Sequence, residues 1–171
     1  PAAAQPELIR RALGDPSVGV RINAVRQLVQ SKRDATACSR LIAVATQDMA
    51  RGTRVLAMDG LAEPCGNTDV QSQALLGAAS TLGAETTDDW QVPAHALVSL
   101  AHLSPELARR VLPAFVNHDN PSVRGYGARA ADILGDVDLV SNMATDPSAN
   151  VRTIALQLLG PRDLVSDQML I

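Results

Sequence analysis

Aromatic residues are almost missing from this sequence: one Trp, one Tyr and one Phe make up 2% of 171 residues. Sandwiches and barrels usually recruit rings and β-branched residues for their cores. Here 46% of the residues are hydrophobic, so a core can be filled, but with Ala, Leu and Val. Such side chains suit closely packed helices. An excess of basic charge is missing too. The net charge is −3 and the pI about 5.5, which argues against a nucleic-acid partner, since such proteins carry a basic surface. No apolar run approaches the ~20 residues that a membrane-crossing helix needs, and no basic-then-apolar signal segment opens the chain. The expectation is a soluble protein without membrane insertion, cytoplasmic or, if the parent protein is exported, periplasmic. The chain starts at Pro1 without Met and stops in the apolar run Met169-Leu170-Ile171, which reads as a piece of a longer protein.

Cysteine is scarce. Cys38 and Cys65 are the only two, and nothing pairs them at metal-ligand spacing. A bridge between them is open in an oxidising compartment. Two buried free thiols are the expected state, because isolated Cys usually behaves as a small hydrophobe.

Signatures of catalysis are also missing. There is no HExxH, no zinc-type Cys/His cluster, no GxSxG elbow, no Walker loop and no GxGxxG. The three histidines are His95, His102 and His118. His95 and His102 are seven residues apart and share a helix face across two turns, whereas metal ligation usually wants four-residue spacing and a third ligand. The doublet Asp88-Asp89 reads as a capping region rather than an acid/base pair, and Trp90 as a core plug between units; an exposed Trp90 would instead suggest an interface anchor. Arg10-Arg11, Lys32-Arg33 and Arg109-Arg110 read as solvated charges. No catalytic residue, metal or cofactor is expected within this chain, and a small-molecule ligand is not expected either.

What the chain does have is a repeat. Asp15-Pro16-Ser17-Val18-Gly19-Val20-Arg21 recurs as Asp146-Pro147-Ser148-Ala149-Asn150-Val151-Arg152. Ala24 and Leu28 follow Arg21 at the same spacing as Ala155 and Leu159 follow Arg152. A third copy starts at Asp48, with Gly52, Arg54, Ala57 and Leu61. A fourth reads Asn120-Pro121-Ser122-Val123-Arg124, with Gly127 and Ala131. A fifth is degenerate: Asp89-Trp90-Gln91-Val92-Pro93, then Ala96 and Leu100, with Pro93 where the others have Arg.

Each part of the motif has a mechanical reason. Asp or Asn before Pro can cap a helix start, where Pro's missing N–H costs nothing. Arg21, Ala24, Val25 and Leu28 lie on one helical face, with Ala permitting close approach and Leu filling space. Shorter amphipathic segments precede the copies: Pro6 to Leu13, Ala35 to Thr46, Val70 to Leu82, Pro105 to Val116 and Val137 to Ala144. The expected fold is all-α: about five helical hairpins over residues 6–31, 34–63, 68–103, 104–135 and 136–160, with a partial helix at 162–171, in a single array. Asp15, Asp48, Asn120 and Asp146 are expected as caps. Arg21, Arg54, Arg124 and Arg152 are expected as bridges to an Asp side chain or to an orphan carbonyl of a neighbouring unit.

The run Asp-Pro-x-x-x-Val-Arg followed by Ala and Leu resembles the HEAT-like repeats first associated with phycobilisome (bilin) lyases, over nearly the whole chain. That resemblance implies an armadillo-like, right-handed α-α superhelix whose second helices line a concave face. It implies scaffolds, adaptors and transport receptors as much as enzymes, because fold does not carry function with it. The second half, with Asp89-Trp90-Gln91-Val92, His118 to Ala131, Leu134-Gly135-Asp136 and Asn150-Val151-Arg152, is similar to bacterial HEAT-repeat proteins that often carry a cyclophilin-type prolyl isomerase domain elsewhere. No cyclophilin residue is present here.

Positions two, five, six and nine after the motif Arg point away from the core stripe. They include Asn23, Arg26 and Gln27; Asp59 and Gly60; His95, Ser99 and His102; Tyr126, Arg129 and Ala130; Ile154 and Gln157. That mixed row suits a peptide or protein partner, with Tyr126 and Arg129 its strongest anchors by residue type. The expected function is protein–protein interaction. The alternatives are a non-catalytic, substrate-positioning arm of a larger enzyme, such as a prolyl isomerase or a bilin lyase, and a passive spacer.

Overall fold

Breakers at the loops and Ala/Leu stripes between them resolve into helices throughout. The structure, a computed structural model, describes residues 5–31, 34–83 and 89–160. Among these residues there are ten helices and no strand. They are α1 (Gln5–Leu13), α2 (Val18–Gln30), α3 (Ala35–Gln47), α4 (Arg51–Gly60), α5 (Thr68–Ala79), α6 (Gln91–Leu103), α7 (Pro105–Val116), α8 (Pro121–Ile133), α9 (Val137–Met143) and α10 (Ala149–Leu159). The expected partial helix at 162–171, Lys32-Arg33 and Asp88 lie outside the described residues.

Odd and even helices pair in sequence order: α1 on α2, α3 on α4, α5 on α6, α7 on α8 and α9 on α10. The even helices also touch one another in order, from α2 through α4, α6 and α8 to α10. Among the odd helices α3 meets α5 and α5 meets α7 more lightly. The core therefore runs as one strip between the two sets. Ala24, Ala57, Ala96, Ala131 and Ala155 are all buried, as are Leu28, Leu61, Leu100 and Leu159. Phe115 is the one ring fully inside. Pro93 is tolerated in the first turn of α6, where no intrahelical acceptor awaits its missing N–H.

The Asp residues of the motif do not cap the helices that follow. The side chains of Asp15, Asp48 and Asp146 accept the N–H two residues on, from Ser17, Ala50 and Ser148. Those three, not the Asp residues, occupy the N-cap positions of α2, α4 and α10. The motif places its Asp too far upstream, so it closes a turn instead. Asn120 alone of the four is an N-cap, accepting from Ser122 N–H. Side-chain caps also come from Asp34, Asn67 and Asp136.

The Arg residues stitch successive units. Arg21 donates from Nε and Nη2 to the two oxygens of Asp48 at 2.7 and 3.0 Å, while its Nη1 serves the carbonyls of Asp15 and Pro16 in its own loop. Arg124 repeats this with Asp146, at 2.8 Å for both bonds, and with the carbonyls of His118 and Asp119. Arg54 donates to the Asp48 carbonyl and makes a single bond to Asp89, so Asp89 is an acceptor for its neighbour rather than a cap. Arg152 donates to the carbonyls of Asp146 and Pro147 and has no carboxylate partner among the described residues. Where Pro93 replaces Arg, the ladder skips a rung. Arg109, expected to be merely solvated, donates to the carbonyl of Leu134 at the end of α8.

The rungs differ in strength, and substitution should show it. Arg124→Ala deletes a two-bond ion pair and strips donors from two loop carbonyls, so it should cost about 2–3 kcal/mol. Arg152→Ala deletes only carbonyl bonds and should cost about 1 kcal/mol. Thermal melts of the two variants compare them directly, and equal losses would show that the cross-unit pair contributes nothing.

Acid should loosen the same ladder. The Arg21 guanidinium holds the Asp48 carboxyl below its ordinary value of 3.8, against the opposing effect of burial and with help from the Ala50 N–H. Arg124 and the Ser148 N–H do the same for Asp146. A carboxyl lowered in the fold contributes stability that is fully present above its unfolded value. That stability is lost as pH falls through the folded value. Melting temperature should therefore drop steeply below about pH 4, and an Asp48→Asn/Asp146→Asn variant should show a shallower acid slope.

Cys38 and Cys65 are not free thiols: they form a disulfide, with Cα atoms 5.4 Å apart. Both are buried. The loop after α4 folds back over the start of α3, which brings Cys65 within the roughly 4.4–6.8 Å window that a bridge requires. Gln71, fully buried, pins this loop. Its Oε1 accepts the Cys65 N–H, and its Nε2 donates to the carbonyls of Leu61 and Glu63. Gly66 has φ +61°, and a Cβ there would lie 2.8 Å from the Ala35 Cα.

Candidate functional site

The contacts between even helices set the stagger that assembles the site. Asp59 ends the exposed face of α4, His95 lies one turn into α6, and Tyr126 lies in the second turn of α8. His95 Nδ1 is 2.7 Å from Asp59 Oδ1. The Tyr126 hydroxyl is 2.6 Å from His95 Nε2. A carboxylate only accepts, so Nδ1 carries the proton and donates to Asp59. In the neutral imidazole the other nitrogen accepts from the Tyr126 O–H, and in the imidazolium it donates to the phenol oxygen. Three helices thus contribute one side chain each to a continuous hydrogen-bonded chain.

Rings and a cation complete the cluster. The Trp90 indole packs edge-on against Tyr126, centroids 5.9 Å apart, and the His95 ring lies 4.8 Å away. Arg129, one turn beyond Tyr126 on α8, places its guanidinium carbon 4.9 Å from the centre of the phenol ring. Two of the three aromatic residues of the chain therefore sit in one place on the surface side of the even helices. The hydrogen bonds fix the rotamers of His95 and Tyr126, so the phenol is held rigid rather than free to sweep solvent. Chemically the arrangement offers a preorganised aromatic plate with a cation across it.

A groove of about 440 Å³ opens beside the plate, between α8 and α10. Trp90, Tyr126 and Arg129 form one side, and Asn150 and Ile154 the other. Of the expected row, Asp59, His95, Tyr126 and Arg129 are brought together. Asn23, Arg26 and Gln27 lie exposed on α2, with Arg26 donating to the Asn23 side chain. His102 and Gln157 are exposed on α6 and α10 and stand apart from the cluster. Gly60, Ser99 and Ala130, expected to point away from the core, are buried. At Gly60 the sixth position turns toward the neighbouring even helix: a Cβ there would lie 2.6 Å from Val29 of α2.

Trp90, expected to plug the core, is half-buried and packs against the core, and its indole also meets Tyr126. Its position at the start of α6 was legible, but its meeting with Tyr126 required the stacking of α6 on α8. No group of His, Cys, Asp and Glu among the described residues has the arrangement of a metal site. No helix among them is long and apolar enough to cross a membrane. No protein-family model matches the chain, and no curated protein matches it in sequence.

Proposed function

We propose that this chain is an array of HEAT-like helical hairpins, wound as a right-handed superhelix, that binds a peptide or protein partner on the concave face lined by α4, α6, α8 and α10. The observation that carries this reading is the Asp59–His95–Tyr126 chain with Arg129 laid over the phenol. A rigid aromatic plus an arginine on a surface is the composition of an interface anchor, and holding it in place beforehand lowers the ordering entropy of binding. The Cys38–Cys65 bridge favours an oxidising, exported setting for this activity, because disulfides persist there.

The test is capture of the partner by the purified chain against the Tyr126→Ala/Arg129→Ala variant, with Glu106→Ala/Arg110→Ala, both exposed on α7, as a control. Capture should be lost in the first variant and kept in the second, with both chains folded by circular dichroism. Equal capture by all three would remove this face from the proposal.

A further inference from the structure

We infer that the groove beside Arg129 accepts an acidic side chain of the partner, flanked by an apolar one. This rests on the reading of that face as a binding surface and adds the chemistry of what it binds. The first observation is charge. The chain carries −3 overall, yet no carboxylate among the described residues lines this groove, while Arg129 does. The ladder arginines Arg21, Arg54 and Arg124 are each neutralised by an Asp. Arg129 makes no ion pair with a described residue and instead lies over the face of Tyr126. Its positive charge is thus positioned, and no carboxylate among the described residues pairs with it.

The second observation is the shape and lining of the groove. The indole of Trp90, the ring of Tyr126 and the side chain of Ile154 supply apolar wall, and Ser122 and Asn150 supply neutral polar groups. A volume of about 440 Å³ is within the range of ordinary ligand sites and holds a few side chains rather than a fold. The third observation is the number of cations. One guanidinium matches one carboxylate through paired N–H···O bonds. A phosphate backbone would call for several cations in a row, and among the described residues the groove has one.

The experiment is selection of a displayed library of random ten-residue peptides on the intact chain and, in parallel, on Arg129→Gln. Selected peptides should show Asp or Glu at one fixed position beside a large apolar residue. A synthetic copy should bind about tenfold more weakly to Arg129→Gln, as should its Glu→Gln or Asp→Asn version to the unaltered chain, the loss of one charge-assisted pair. Added salt should weaken it further. Trp90 is the only tryptophan, so its emission should shift and saturate as the groove fills. Peptides that move Trp90 emission but show no acidic preference, or bind Arg129→Gln equally well, would overturn the acidic assignment and leave the binding face standing. A library that yields no binder, or only binders silent at Trp90, would overturn both.

Discussion

Replacing Cys38 and Cys65 together by Ser should lower stability by about 3 kcal/mol, which for a chain of this size is a fall in melting temperature of about 10 °C. The bridge spans a sequence separation of 27 residues. Cross-linking a loop of that length removes close to this amount of free energy from the unfolded ensemble on the chain-entropy account. The native side is well supported, because Gln71 holds the backbone of the same loop through three hydrogen bonds. The loss should therefore show as easier unfolding around α3 to α5 while the α8–α10 end keeps its protection, since the main helix–helix contacts join near neighbours in the chain. Thermal melts with and without a thiol reductant, followed by hydrogen exchange, read both effects. Reductant should lower the melting point of the unaltered chain toward that of the double variant and leave the variant unmoved. A melt indifferent to reductant and to substitution would mean that the bridge contributes nothing.

The second large effect is at Gly127. A Cβ there would lie 2.8 Å from Val116 Cγ1, 3.2 Å from the Val116 nitrogen and 3.4 Å from the Phe115 carbonyl carbon. Two of those neighbours are backbone, so α7 cannot yield by turning a side chain. Gly127→Val should cost about 3 kcal/mol through overpacking. Gly77, in the last turn of α5, is the opposite case: nothing stands within 4 Å of its added Cβ. Gly77→Ala should raise stability by about 0.5–1 kcal/mol, since helix interiors disfavour glycine. Opposite shifts in melting temperature are the expected pair. If Gly127→Val melted like the unaltered chain, α8 would be able to move off α7, and the Tyr126 position would lose its rigid base.

Much of the architecture was legible because it is periodic. The Asp–Pro breaks and the Ala/Leu stripes mark the helices, and helices form at those places because their apolar faces recur at helical spacing. The segments expected at Pro105 to Val116 and Val137 to Ala144 are helical almost residue for residue. The cap assignment failed for three Asp residues because a turn closed by Asp and a helix capped by Asp differ by two residues, which the motif alone does not distinguish. Arg21 was expected to bridge, but not that one guanidinium would serve its own loop and the next unit together.

The candidate site was half legible. Spacing on single helices placed Asp59, His95, Tyr126 and Arg129 on one face of their helices, because that follows from 3.6 residues per turn. Whether residues on different helices meet depends on the stagger of α4, α6 and α8, and stagger is set by side-chain packing between helices rather than by either helix alone. Hence the sequence by itself determined an all-helical chain, its helical repeats and part of the row of side chains offered to the surface. Only the tertiary structure decided that Asp59 reaches His95, that His95 reaches Tyr126, that Trp90 meets Tyr126 while still packing on the core, and that Cys38 and Cys65 are one bond rather than two thiols. In each case the deciding quantity is a distance between segments far apart in sequence, fixed by how closely Ala- and Gly-lined helices can approach.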